Sequence, residues 1–417
     1  IFPSLSGRKN VKKDNFINND NSDNENYLIK ENKKNEDRQK NTSNNIIIAN
    51  IKVQKNNSKK RIINSLENAK REEPELDLDN RELFGNEKQI QSCEIYINDK
   101  RIEFNYYYTF EKNGNYIIKY IFKEPLKSTN FMFYNCKSLI SLDFANFNSK
   151  NIINMRSMFD SCESLTSINL SNFNTDNVNN MRSLFYGCNS LISLDFSKFN
   201  TKNVNNMEWM FSNCGSLSSL NLSNLNCQNV KSMGHIFYGC RQLKLLNLEN
   251  FKIQDVNNIE YMFGECNSLT KLDLSFFKTQ NVNNMVGMFA SCKSLISLDL
   301  SNFNTANVRN MVGMFSNCTS LISLDISNFN TINVINMNHM FYNCNSLTSL
   351  NLSSFNYQNV GSMRLMFYNC FSLISLDISN FYTSNEVDIE YIFEGCNSLI
   401  YKIITNFNFS QKIIIGY

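Results

Sequence analysis

The sequence predicts an α/β repeat fold, a solenoid of about ten coils of 26 residues that each run through a strand, a turn and a short helix. One observation behind this fold class is that the segments between neighbouring cysteines have nearly the same residue types at corresponding positions. A fixed period of this size is typical of solenoids, in which each repeat buries its apolar side against its neighbours. The other observation is a set of eleven cysteines at a constant interval of 26 residues: Cys136, Cys162, Cys188, Cys214, Cys240, Cys266, Cys292, Cys318, Cys344, Cys370 and Cys396.

Two segments precede the repeats. Residues 1–85 are dominated by Asn, Lys, Asp, Glu and Ser, and a composition so poor in apolar residues predicts a disordered leader. Residues 86–125 are predicted to form an antiparallel β-meander that caps the exposed apolar end of the first coil. The β-forming runs behind this prediction are Cys93–Ile97, Ile102–Phe104 and Tyr116–Phe122.

The repeat itself, counted from the cysteine as position 1, has two halves. In its first half Leu298 and Leu300 alternate with polar residues, which is the period of a strand with one buried face. The apolar residues of the second half fall at spacings of three, three, one and three, which predicts a short helix. They are Val308, Met311, Met314, Phe315 and Cys318. The solenoid is expected over residues 126–395, and residues 396–417 are expected to be a degenerate C-terminal capping repeat.

Composition excludes several classes of protein. With 41 basic and 38 acidic residues the formal charge is +3, so no chain-wide field favours nucleic acid or an anionic membrane. No apolar run has the length of a transmembrane helix, and the start of the chain shows no signal-peptide core. The thirteen cysteines are odd in number and locked to the repeat, which favours buried, reduced thiols, although stacked neighbours about 5 Å apart are within disulfide reach.

The consensus sequence of the repeat resembles that of a known family. It reads L-x-S-L-[DN]-L-S-N-F-N-T and then N-V-x-N-M-x-x-M-F-x-x-C. This is similar to the BspA-type leucine-rich repeat, or DUF285 repeat, of bacterial and protist surface proteins, over about residues 126–410. The resemblance implies a right-handed, leucine-rich-repeat-like solenoid used for adhesion or protein recognition, often at a cell surface. It implies no enzyme and no cofactor.

Candidate site residues are those that break the repeat on the side of the predicted helix. Exposed aromatic side chains in neighbouring coils are typical anchors of protein interfaces, although such side chains can also merely cover the edge of a coil. The partner-binding candidates are Tyr186, Trp209, His235, Tyr238, Tyr261, His339 and Tyr342.

On the strand side, three carboxylates in consecutive coils form a calcium candidate: Asp273, Asp299 and Asp325. Screening of these carboxylates by flanking Ser and Asn explains them without a metal. No histidine, glycine-rich loop or activated nucleophile is placed as catalysis would need, so no enzyme is predicted.

The function predicted is a monomeric, non-enzymatic recognition or adhesion scaffold with a protein partner. The alternative is an intracellular scaffold or a structural spacer without a dedicated ligand site. The family resemblance favours the cell surface, whereas reduced cysteines and the lack of a visible signal peptide favour the cytoplasm. The sequence leaves both compartments open.

Overall fold

The computed structural model describes residues 45–76, 85–249, 251–377 and 387–399. The chain divides into two units, Ile1–Ser43 and Asn44–Tyr417, of which the first lies outside the described residues. Within the described ranges, no helix has the length and apolar character needed to cross a membrane.

Short strands and two short helices make up the regular structure of the described residues. The helices are α1 (Leu66–Glu72) and α2 (Glu87–Gln91). The strands are β1 (Ile46–Val53), β2 (Ser58–Arg61), β3 (Glu94–Ile97), β4 (Lys100–Ile102), β5 (Tyr107–Phe110), β6 (Gly114–Ile121), β7 (Leu139–Asp143), β8 (Ser167–Asn169), β9 (Ser219–Asn221), β10 (Leu245–Asn247), β11 (Ser349–Asn351) and β12 (Ser375–Asp377).

A six-stranded sheet with the order β4-β3-β6-β1-β7-β8 joins the N-terminal module to the repeats. β1 lies antiparallel to β6 on one side and antiparallel to β7, the strand of the first coil, on the other. β7 then pairs in parallel with β8 of the second coil. The N-terminal module therefore continues the sheet of the solenoid, and β1 occupies the edge that the first coil would otherwise expose.

The prediction of a disordered leader over residues 1–85 is wrong for residues 45–76, which contain β1, β2 and α1. In β1, Ile47, Ala49, Ile51 and Val53 are buried while the residues between them face outwards, as in a strand with one buried face. The eight residues of β1 are too few to change the average composition of an 85-residue segment. The whole segment therefore had the composition of a polar leader.

The predicted β-meander is wrong in its connectivity. β3 pairs with β4 as a hairpin and with β6 on its other edge, while β5 pairs with β2 in a separate two-stranded sheet. The sequence hid this arrangement because the partner strands β1 and β2 lie in the segment assigned to the leader. Of the predicted C-terminal capping repeat 396–417, all beyond Leu399 lies outside the described residues.

The first half of each coil is extended and bonds to its neighbours in parallel. The N–H of Leu222 donates to the carbonyl of Asn247 (3.0 Å), and that of Ile322 donates to the carbonyl of Ile296 (3.1 Å). The apolar side chains at positions 4, 7 and 9 point inwards. Regular strands are assigned only in some coils, as β7 to β12, and the others keep the extended path without a strand assignment.

The second half of the repeat is a series of turns in the described coils, so the predicted helix is wrong. Positions 22 and 26 have positive φ angles, as at Ser157 (φ 49°) and Ser161 (φ 59°), which a right-handed helix does not allow. Alternate N–H groups leave the coil: that of Ser157 donates to the carbonyl of Arg182 in the next coil (2.9 Å). The groups between them close turns, as from Met158 to the carbonyl of Met155 (3.2 Å). Spacings of three fit such turns as well as a helix, so the apolar pattern did not separate the two.

Columns of identical residues fill the core. The position-24 phenylalanines stack along the solenoid, as Phe289 on Phe315 with ring centroids 5.6 Å apart and an interplanar angle of 8°. All thirteen cysteines are free and buried. From Cys162 to Cys396, each column thiol donates to the carbonyl of the position-24 phenylalanine 29 residues earlier, at 3.0–3.3 Å. A small apolar side chain with a weak donor is therefore what this position needs.

Candidate interaction surface

The turn segments present the side chains of positions 22 and 25 on one surface of the solenoid. These side chains lean over the coil that follows. A methyl group built on Gly264 would lie 2.9 Å from Cδ2 of Tyr238, and one built on Gly287 would lie 2.2 Å from Cε1 of Tyr261. Neighbouring coils therefore share a continuous layer of side chains, in which a large residue of one coil covers a small residue of the next.

Five of the predicted partner-binding residues meet in this layer, and we name them the aromatic cluster: Tyr186, Trp209, His235, Tyr238 and Tyr261. The rings of Trp209 and His235 stack at 3.7 Å and 7°, and those of His235 and Tyr261 stack at 5.1 Å and 23°. Tyr186 and Tyr238 meet this stack edge-on, at 6.0 Å and 6.5 Å from the Trp209 ring. All five side chains are half-buried, so their remaining surface faces solvent.

Carboxylates border the aromatic cluster. The Tyr238 hydroxyl donates to Glu265 Oε1 (2.6 Å), and Arg241 donates to Glu265 Oε2 (2.8 Å). Burial, followed by the bond to Glu265, raises the pKa of Tyr238 to about 12, so its hydroxyl stays protonated and fixed in direction. Glu208 and Glu260 are next in sequence to Trp209 and Tyr261.

The His235 side chain is largely enclosed within the aromatic cluster, with 14% of its surface exposed. Its Nδ1 atom is buried without a hydrogen-bond partner and lies 3.9 Å from Glu260 Oε1. Burial lowers the pKa of His235 below the usual value, against the opposing effect of Glu260 and Glu208. At neutral pH the ring is uncharged and acts as an aromatic plate between its two neighbours.

The other two predicted partner-binding residues lie in a separate group, further along the same surface. The His339 and Tyr342 rings are 5.5 Å apart, and Tyr342 stacks on Tyr368 of the next coil at 5.1 Å and 8°. Between the two groups the surface carries small residues at positions 22 and 25, among them Gly287 and Gly313.

The structure does not assemble the calcium candidate. Among the described residues, no three His, Cys, Asp or Glu side chains converge as a metal ion would require. Asp273, Asp299 and Asp325 each accept the N–H of the serine two residues on, at 2.9–3.0 Å. This bond lowers the pKa of each carboxyl group. The aspartates therefore recur at this position as residues that form a turn with their side chains.

Sequence reasoning missed the column at position 21, where charged residues lie beside the aromatic cluster. Its members there are Arg182, Glu208, Gly234 and Glu260. An alternation of Arg, Glu and Gly at one repeat position was visible in the sequence, but its meaning depends on which side chains meet across coils. The exposed isoleucines at position 5 of the strand side were missed as well, namely Ile192, Ile296, Ile322 and Ile374.

A family and a solved structure resemble this chain. The model of the family DUF285, described as "Mycoplasma protein of unknown function", matches residues 127–247, 235–323 and 294–407. A leucine-rich repeat protein from Eubacterium ventriosum ATCC 27560, known from a crystal structure, is 15% identical over 57% of this chain and 70% of its own, with a TM-score of 0.25. A score this low supports no conclusion about this chain. The comparison with curated proteins gave no match.

The three family matches together run from residue 127 to residue 407, about two thirds of the 417 residues. They coincide with the repeats that suggested the resemblance in the first place. The chain therefore belongs to the DUF285 family.

Proposed function

We propose that the protein is a non-enzymatic recognition scaffold that binds partner proteins through the aromatic cluster. The observation that carries the proposal is the joining of five half-buried ring side chains from neighbouring coils into one layer. Interfaces take much of their binding energy from a few aromatic anchors that are already ordered before binding. Stacking and the bond from Tyr238 to Glu265 provide that order here.

The solenoid around the aromatic cluster supports the same role. Positions used for stacking are nearly invariant from coil to coil, whereas the aromatic cluster lies where the repeat varies. A rigid array of stacked coils with a variable surface is the arrangement by which repeat proteins present extended binding surfaces.

The test is selection from a library of random peptides with the intact protein, followed by affinity measurements on a variant. The variant carries Trp209→Ser, Tyr238→Ser and Tyr261→Ser. Serine already occupies position 22 at Ser183 and position 25 at Ser212, so the coil accepts it. We expect the selected peptides to bind the variant about tenfold more weakly or worse, because hot-spot side chains each contribute this much.

The control is a strand-side variant with Ile296→Ser and Ile322→Ser, which we expect to bind the peptides as the intact protein does. Equal binding by the cluster variant would move the site elsewhere on the solenoid. Failure to select any peptide would favour the alternative of a structural spacer. Circular dichroism of both variants checks that the coils remain folded.

A further inference from the structure

The column at position 21 contains the same three-residue arrangement twice. Arg182 donates to Glu208 of the next coil (2.5 Å), and Glu208 is followed in sequence by Trp209. Near the other end of the array Arg364 pairs with Glu390 of the next coil, and its guanidinium lies 5.5 Å from the ring centre of Tyr391. In both places an arginine of one coil pairs with a glutamate of the next coil, and an aromatic residue follows that glutamate in sequence.

A third copy of this arrangement lacks its arginine. Glu260 and Tyr261 correspond by position to Glu390 and Tyr391, but the preceding coil has Gly234 where the arginine would stand. Among the described residues, Glu260 has no arginine or lysine within ion-pairing distance. Its neighbours are Asn284, whose amide donates to Oε2 (2.7 Å), and the uncharged His235.

The site lies between two carboxylates, of which Glu260 is partly exposed. The Glu260 side chain is 34% exposed. Gly234 stands between Glu208 and Glu260 in the position-21 column, and its carbonyl accepts the N–H of Trp209 (3.1 Å). The nearest atom to a methyl group built on Gly234 is Cγ of Glu260 at 3.3 Å, in a flexible side chain that can turn aside. Gly234 itself is buried, and the Glu260 side chain lies against it.

We propose that Gly234, Glu260 and Tyr261 form a docking site for an arginine side chain of a partner polypeptide. The proposal rests on the proposed function and names the chemistry of the partner. A guanidinium is planar, pairs with a carboxylate through two parallel bonds and stacks on an aromatic face, which are the contacts that this site offers. Within this chain, Arg364 shows the occupied form of the same arrangement.

The first part of the test asks what the selected peptides contain. The library is free of tryptophan, so the fluorescence of Trp209, the single tryptophan of the chain, reports binding at the aromatic cluster. We expect the selected peptides to share an arginine whose replacement by citrulline, which keeps the shape and removes the charge, weakens binding about tenfold. Selected peptides that tolerate citrulline at every arginine would overturn the proposal.

The second part supplies the missing arginine within the chain. Position 21 already holds Arg182 and Arg364, and Gly234 has no left-handed backbone, so Gly234→Arg is compatible with the coil. Its guanidinium should pair with Glu260 and weaken the arginine peptides about tenfold. Gly234→Gln, which adds a shorter polar side chain without charge, should compete less. Glu260→Gln should weaken the arginine peptides and leave their citrulline forms unchanged.

The outcomes separate the two proposals. The selected peptides could lose affinity for the serine variant of the aromatic cluster and still bind Glu260→Gln as tightly as the intact protein. This result would support the recognition function and refute the arginine site. Equal effects of Gly234→Arg and Gly234→Gln would show that bulk rather than charge blocks the surface, and would also refute it. The absence of any selected peptide would overturn both.

Discussion

Trp209, His235 and Tyr261 have backbone conformations that side-chain-bearing residues adopt rarely. Their φ angles are 60°, 60° and 49°, in the left-handed region. This region costs an L-residue roughly 1–2 kcal/mol. Each residue nevertheless donates its N–H to a carbonyl of the next coil, at 2.7–3.1 Å, and stacks on its neighbours. The inter-coil bonds fix the backbone, and aromatic side chains occupy a position where glycine would cost less.

A matched pair of glycines tests this account. Gly313 has a φ of 59°, whereas Gly361 lies outside the left-handed region. A methyl group built on either glycine makes only an ordinary contact, at 3.6 Å from Cβ of Ser316 and at 3.7 Å from the carbonyl oxygen of Ile335. We expect Gly313→Ala to lower the free energy of unfolding by about 1 kcal/mol and Gly361→Ala to change it by less than about 0.5 kcal/mol. Urea unfolding measures both. Equal losses would mean that the left-handed turn carries no backbone cost.

At the level of elements, the sequence predicted the repeat period, the extended first half of each coil and the membership of the family. It could do so because the cysteine column fixes the phase of every coil. The helix did not, since Met311, Met314 and Phe315 are spaced for either turns or a helix, and the deciding bonds run between coils. β1 was hidden within a polar segment. The columns of the aromatic cluster were visible in the sequence, whereas the role that we propose for Gly234 depends on a side chain 26 residues away.

The contact between α1 and the first coils contains a buried carboxyl group with a pH-dependent effect. Asp160 accepts bonds from the hydroxyls of Ser157 (3.2 Å) and Ser161 (2.8 Å), and burial raises its pKa to about 7. Nearby Glu73, just after α1, acts in the same direction. Because the folded pKa lies above the unfolded value of about 3.9, the folded state binds the proton more tightly. This contribution is fully present below about pH 4 and is lost as the pH rises towards 7.

We therefore expect the intact protein to lose on the order of 2–3 kcal/mol from this group between about pH 5 and about pH 8. Asp160→Asn cannot ionise and should not show that loss, so it should gain on the intact protein as the pH rises. Urea unfolding at the two pH values measures the difference. Asp255→Asn, at an exposed aspartate of a later coil, is the control and should retain the pH dependence of the intact protein. The same slope in Asp160→Asn would contradict the assignment.

In the described part of the repeat array, the backbone bonds between coils link each coil to the coils directly before and after it. Position 19 shows this simply: bridges link Asn258 to Asn284, Asn284 to Asn310 and Asn310 to Asn336, always one coil apart. Stability is then close to a sum over coils and their interfaces. The N-terminal end of the array depends on β1, because β1 pairs with β7, the strand of the first coil, where a strand of a preceding coil would otherwise lie.

Removal of one whole coil tests this organisation and separates scaffold from site. Deletion of residues 292–317 joins Ser291 to Cys318, so every column stays in phase and each interface keeps its residue types. We expect a folded protein with a modestly lower unfolding free energy, because one coil and one interface are lost. Peptide binding at the aromatic cluster should be unchanged, since the deleted coil lies beyond Tyr261 and Gly287. Deletion of only residues 292–304 places turn segments against strand segments, breaks the ladder of bonds on both sides and should abolish cooperative unfolding. If both deletions unfolded the protein equally, the coils would not be independent units, and the binding surface would depend on the whole array rather than on the coils that carry it.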